Sequence, residues 1–342
     1  MGAPVIPPAG ADAADWRAQR PWLATLPVCD GLLSWTDYFL PPGASLVEQL
    51  KRFQNSGIDH VSVTVGGKGD TAEMAMRTIG RLTASLREAG IAITGSRAAI
   101  EQARAEGRLT AAFHFQCATP MAGSLDLVDA FFAAGVHRAI LAYNEANIFA
   151  DGCHESRNAG LTGAGRRLVE RMDRAGMRID LTHCGERTTF EVAEMALSRP
   201  PLYSHSNARA LYDHERNLSD AQICAAAERD MFIGVNGVGF FLGAEGPEIP
   251  REMARHLAHM AGIAGAERLG LGLDFMYLEG SDYAFYHRSR STWPRGYPSP
   301  PWSFLQPEQV GDLVEALEAE GFSRDEIAGI LGANYLARVT MP

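Results

Sequence analysis

Two short β-favouring runs each end in a histidine: RIDLTH reaches His183 and PLYSH reaches His205. A third run, RLGLGLDF, carries Asp274 where its strand gives way to a loop. Imidazole is the commonest protein ligand for a borderline metal such as zinc. A nearby carboxylate can take a proton from metal-bound water. Histidines at the tips of consecutive strands, with an aspartate closing a further one, therefore point to metal-assisted hydrolysis. Any one strand-end histidine has a simpler reading as a hydrogen-bonded interior residue. The joint placement favours chemistry.

Polar residues end the other β-type runs too. Asp30 closes the first, His114 and Gln116 the third, Tyr143, Asn144 and Glu145 the fourth, and Asn236 the seventh. His114 and Gln116 are two apart and point to the same side of their strand. His60, His137, His154, His214, His256, His259 and His287 lack comparable placement. His256 and His259 are expected on the surface of a helix, whereas His154 and His287 fall in loops within reach of a substrate.

The elements that must position these groups alternate along the chain. Strands are expected near 27–30, 59–65, 109–116, 138–142, 178–182, 201–204, 231–236 and 268–273, with an accessory strand at 91–94. Helices are expected at 70–89, 123–134, 162–175, 186–197, 219–229 and 250–262, two of them announced by the N-cap residues Thr162 and Ser219. Several strands are continuously apolar, as strands covered on both faces are. Eight such strands alternating with helices predict an α/β fold of the (β/α)8 TIM-barrel class, in which sites lie at the C-terminal strand ends. A doubly wound open sheet is the rival, but no GxGxxG follows the first strand. The long aromatic stretch 277–304 follows the last strand and is expected to cover the barrel mouth, with Tyr277 as a substrate contact. Residues 1–15 read as a poorly ordered arm on a single domain spanning 1–342.

A chain of 342 residues with 46% hydrophobic residues can bury a large core. Its net charge of −10 argues against nucleic acid as the main partner. No apolar run is long enough to span a membrane, and the first residues lack the charged and apolar regions of a secretory signal. Five cysteines without framework spacing fit reduced thiols in a cytoplasm. The expected partner is a small molecule.

The combination of IDLTHC, YSHSNARAL, ERN and RLGLGLDF resembles the membrane (renal-type) dipeptidases, peptidase family M19 of the amidohydrolase superfamily. The likeness extends through 158–183 and 330–339 and covers nearly the whole chain in the right order. It implies a (β/α)8 barrel that hydrolyses dipeptides at a two-zinc site. By resemblance, His183 and His205 hold the second zinc, Asp274 binds the first and handles the catalytic proton, and Arg216 grips the substrate carboxylate. Family members are often dimers, so the resemblance leaves room for a homodimer.

The sequence departs from that pattern at the first zinc. The family's DGHND is DGLLS here, placing Leu32 and Ser34 at two ligand positions, and Gln116 stands where the family has its bridging glutamate. Tyr143 replaces a histidine near the substrate carbonyl. Two dications without a bridging carboxylate repel strongly. The expectation is therefore one zinc per chain on His183 and His205, with the Gln116 carbonyl and Asp30 as further candidate ligands; an apo site is the alternative. Asp274 is then the general base, Tyr143 an oxyanion donor, and Arg216 and Asn236 substrate contacts. A true dizinc dipeptidase and a non-hydrolytic, ligand-binding descendant are the competing readings.

Overall fold

A computed structural model describes residues 15–34, 45–276 and 297–341. The described residues form nine strands: β1 (Cys29–Leu33), β2 (His60–Gly66), β3 (Ala92–Ile93), β4 (Thr110–Phe115), β5 (Val136–Ile140), β6 (Arg178–Asp180), β7 (Leu202–Tyr203), β8 (Phe232–Val235) and β9 (Leu269–Leu271). Neighbours run in the order β2-β1-β9-β8-β7-β6-β5-β4, and a further pairing of β2 with β4 closes the ring. Every pairing is parallel. β3 pairs with β4 outside the ring. This is the expected eight-stranded (β/α)8 barrel with its accessory strand.

The strands form because both their faces are buried. Every residue of HVSVTVG in β2 and of TAAFHF in β4 is buried. Helices cover the outside with amphipathic faces; Gly163–Ala175 buries Leu168, Val169 and Met172. Its start is fixed by Thr162, whose side chain accepts from the Gly165 amide, and Gly176 ends it at φ 81°. Ser219 and Gln222 form a reciprocal cap on Asp220–Glu228. Both sequence-predicted caps are thus made.

The barrel interior is partly polar. Arg138 lies 3.2 Å from Asp180, with both side chains buried, and donates to the Gly31 carbonyl at 2.6 Å. Such a pair holds the strands in one arrangement while adding little net stability. Asp30 joins the first and last barrel strands: its Oδ1 accepts from Leu32 N at 3.0 Å and Leu273 N at 2.8 Å.

One helix starts later than expected, at Leu127, and another ends earlier, at Ala193. His256 corrects another expectation: it is fully buried, because its helix packs that face inward, and its Nδ1 accepts from Ala208 N at 3.0 Å. His259 is partly exposed and contacts Asp220 at 2.8 Å. Residues 1–14, Tyr277, His287 and most of the aromatic stretch lie outside the described residues. The end of that stretch packs on its own barrel: Tyr297 and Trp302 meet Phe240, and Phe304 meets Phe275. No helix among the described residues is long and apolar enough to cross a membrane.

Candidate active site

Three non-glycine residues at the barrel mouth adopt left-handed backbone: Asn144 after β5 (φ 60°), His183 after β6 (φ 65°) and Asp274 after β9 (φ 53°). Such conformations cost of the order of 1–3 kcal/mol each and persist where surroundings enforce them. Here they turn side chains into a common centre.

His183 Nε2 and His205 Nε2 stand 3.0 Å apart. Their Nδ1 atoms are held on the far sides, His183 by Asn144 Oδ1 at 2.6 Å and His205 by Ser204 Oγ at 2.7 Å. Burial, reinforced by the Arg216 charge, holds both imidazoles well below the usual histidine pKa, so both are neutral. The Tyr143 ring stacks on His183, with centroids 3.9 Å apart.

Asp274 Oδ2 lies 3.9 Å from His205 Nε2 and accepts from Asn236 Nδ2 at 3.1 Å. Burial raises the carboxyl to about 6, opposed by the Arg216 charge and by hydrogen bonds from Asn236 and Ser34. Asn236 is committed at both ends, since its Oδ1 accepts from Val238 N at 2.7 Å. It holds Asp274 in place rather than facing the cavity.

The donor set decides how a metal would fit. Leu32 is fully buried and offers no ligand atom. Gln116 Nε2 donates to Ser34 Oγ and to Thr64 Oγ1, each at 3.0 Å, so only Oε1 of this amide could serve as a ligand. Asp30 has one oxygen on two backbone amides. Among the described residues, no cluster of three or more histidine, cysteine, aspartate or glutamate side chains could hold a metal. The family's first metal position therefore does not fit these residues. The histidine pair does fit a single ion. Two nitrogens on one tetrahedral zinc lie about 3.3 Å apart for bonds of ~2.0–2.1 Å, close to the 3.0 Å found here. Both Nδ1 atoms have the outer partners that orient ligating imidazoles.

Beside the pair lies a cavity of about 210 Å³ lined by His183, Cys153, Ser206, Glu215 and Arg216, among others. Arg216 is buried, donates to the His205 carbonyl at 3.2 Å and lies over the Phe241 ring at 5.3 Å. Its Nε has no hydrogen-bond partner among the described residues. A buried guanidinium with donor capacity left over is suited to a planar carboxylate.

His183, His205, Asp274, Tyr143, Arg216 and Asn236 thus meet around one centre. Gln116 Nε2 and Asp30 Oδ1 are tied into hydrogen bonds of their own, Asp30 Oδ2 has no hydrogen-bond partner among the described residues, and Tyr277 lies outside them. Sequence reasoning gave no role to Ser204 or Asn144 and placed Tyr297 only within the aromatic stretch over the barrel mouth; its hydroxyl accepts from Asn144 Nδ2 at 3.0 Å. Asn144 carried a faint signal as a polar residue at a strand end. Nothing pointed Tyr297 to Asn144, because the two are remote in sequence.

The model of the family described as membrane dipeptidase, peptidase family M19, matches residues 49–285. An uncharacterized dipeptidase of Schizosaccharomyces pombe is 32% identical over 220 residues, covering 63% of this chain and 49% of the relative. A dipeptidase of Aspergillus oryzae is 27% identical over 237 residues, covering 67% and 51%. The chain thus spans about half the length of these curated relatives. Among solved structures, an amidohydrolase from Pseudomonas aeruginosa superposes with a TM-score of 0.80 at 23% identity, covering 96% of this chain and 98% of that one. A metallopeptidase from Rhodobacter sphaeroides, liganded with a phosphinate mimic of L-Ala-D-Ala, gives 0.73 at 20% identity, covering 92% and 99%. At those identities the structural likeness speaks for the fold.

Proposed function

This chain belongs to the membrane dipeptidase family, peptidase family M19, and on that premise we propose that it hydrolyses a small amide or dipeptide bearing a free carboxylate, using one metal rather than two. The observation that carries the reading is the pair of neutral imidazoles with Nε2 atoms 3.0 Å apart; Leu32, Ser34 and Gln116, which by resemblance stand at the family's first metal position, favour one ion over two.

His183 and His205 would hold the ion. When bound, it supplies Lewis acidity toward the scissile carbonyl and eases deprotonation of water. Arg216 binds the substrate carboxylate and fixes which amide lies over the histidines. Asp274, with Oδ2 steadied by Asn236, takes the proton of the attacking water and passes it to the leaving amine. A carboxyl raised to about 6 is ionised near neutral pH yet basic enough to accept that proton. Tyr143, stacked on His183, stays protonated because burial pushes its hydroxyl well above the ordinary tyrosine pKa. It can donate a hydrogen bond to the oxyanion.

Elemental analysis of protein purified without chelator tests this reading. About one zinc per chain, lost in His183→Ala, supports it and directs a screen to dipeptides such as the one mimicked in the Rhodobacter neighbour. No metal, even after zinc is offered, overturns it.

A further inference from the structure

We propose that the two site histidines are not equivalent. Asn144 and Tyr297 lock His183 with its proton on Nδ1, whereas Ser204 lets His205 carry its proton on either nitrogen. The proposal builds on the reading that these histidines hold a metal, but protonation of the metal-free pair is measurable without one.

His183 Nδ1 meets Asn144 Oδ1 at 2.6 Å. A carbonyl oxygen only accepts, so this contact places the imidazole proton on Nδ1 and leaves Nε2 a lone pair. Which end of an amide is oxygen must be decided by its neighbours. The Cys153 thiol approaches the same atom at 3.5 Å. A thiol donates through its S–H. The thiol donor therefore marks that end of the amide as Oδ1, while Nδ2 donates to the Tyr297 hydroxyl at 3.0 Å.

Asn144 is also fixed through its backbone. It sits at φ 60°, where asparagine is tolerated better than most residues. Its carbonyl accepts from His154 N at 2.7 Å. Gly152 packs so closely that an added Cβ would stand 2.2 Å from the Asn144 carbonyl carbon. Tyr297 is held in turn by the rings of His154, His214, Phe240, Phe241 and Trp302. The His183 tautomer thus depends on a residue near the chain's far end.

His205 differs because its Nδ1 partner is a hydroxyl, Ser204 Oγ at 2.7 Å. A hydroxyl can donate or accept. Two bare nitrogens 3.0 Å apart would repel, so in the metal-free protein His205 donates from Nε2 to His183, and Ser204 donates to His205 Nδ1. A cation between the rings requires both Nε2 lone pairs. His205 then gives up the Nε2 proton and gains one on Nδ1, with no net release, and Ser204 turns to accept it. Thr182 Oγ1, 3.4 Å from Ser204 Oγ, lies on the side to which the freed hydroxyl proton can point.

Nitrogen-15 spectra of histidine-labelled, chelator-treated protein test the assignment. The expected result is His183 protonated on Nδ1 and His205 on Nε2, with His205 switching to Nδ1 when zinc is added. Tyr297→Phe removes the acceptor that orients the Asn144 amide. It should mix the His183 tautomers and weaken zinc binding, read by chelator competition, about tenfold or more. Asn144→Asp keeps an acceptor toward Nδ1 and should preserve the His183 tautomer. A wild-type His183 protonated on Nε2, or a Tyr297→Phe protein unchanged in both tautomer and zinc affinity, overturns the proposal. The stated tautomers in a protein that never binds zinc would uphold the locking of His183 and defeat the metal reading instead.

Discussion

Gln116 Nε2 donates to Ser34 Oγ at 3.0 Å, across the interior of the barrel mouth. By resemblance, those residues stand where the family's first metal would find a bridging carboxylate and an aspartate, and the third such position is the buried Leu32. The bond replaces ionic ligands with a neutral contact, and Thr64 holds the same amide nitrogen from another side at 3.0 Å. The combined variant Leu32→His, Ser34→Asp, Gln116→Glu should therefore take up a second zinc, read by elemental analysis, while the parent holds no more than one. Two zincs in the parent would show that the hydrogen-bonded pair does not exclude the ion.

Asp274 stands beside the histidine pair, with Oδ2 3.9 Å from His205 Nε2. Asp274→Asn keeps the shape and removes the base. Turnover should fall about 10²–10⁴-fold, the usual contribution of a positioned acid-base group. The melting temperature should hold or rise, because an amide avoids the cost of a buried charge. Full activity of the variant on a proven substrate would move the base elsewhere.

Arg216 should distinguish substrates by their carboxylate. A hydrogen bond to a charged group contributes about 1.5–3 kcal/mol, and lysine lacks the fork that meets a carboxylate with two bonds. Arg216→Lys should raise KM about tenfold or more for a free-carboxylate dipeptide and leave the corresponding C-terminal amide little changed. Because Arg216 also lies over Phe241 and donates to the His205 carbonyl, circular dichroism of the variant is the control. Equal losses on both substrates would mean the guanidinium acts through packing.

The barrel was legible from local pattern. Strands such as β2 and β4 are buried on both faces and read as apolar runs, and Thr162 and Ser219 announced their helices through hydroxyls that make caps. The strand ends exposed the histidine pair because a barrel gathers its strand tips into one mouth. What stayed hidden depends on contacts remote in sequence. Nothing local to Tyr297 shows that it meets Asn144. His256 looked like a surface residue, because helical spacing alone does not say which polar side chain receives the Ala208 amide in the interior. Asp30 read as a candidate ligand; that its Oδ1 joins Leu32 to Leu273 was hidden, because the two are neighbours in the barrel but remote in sequence.

Asp30 also carries a pH prediction. Burial raises its carboxyl from 3.8 to about 7, with the Leu32 and Leu273 amides pulling the other way. The folded state therefore holds a proton that the unfolded state has already released between those values. Stability from this group is full below about pH 4 and is lost as pH rises toward 7. Asparagine imitates the protonated form, keeping an oxygen for the two amides and removing the ionisation. Asp30→Asn should match the parent in acid and gain on it steadily up to neutral pH, by an amount on the order of a few kcal/mol. Urea midpoints of both proteins across pH 4–8 give the comparison. Curves that stay parallel would mean that Asp30 ionises in the fold as easily as in the open chain.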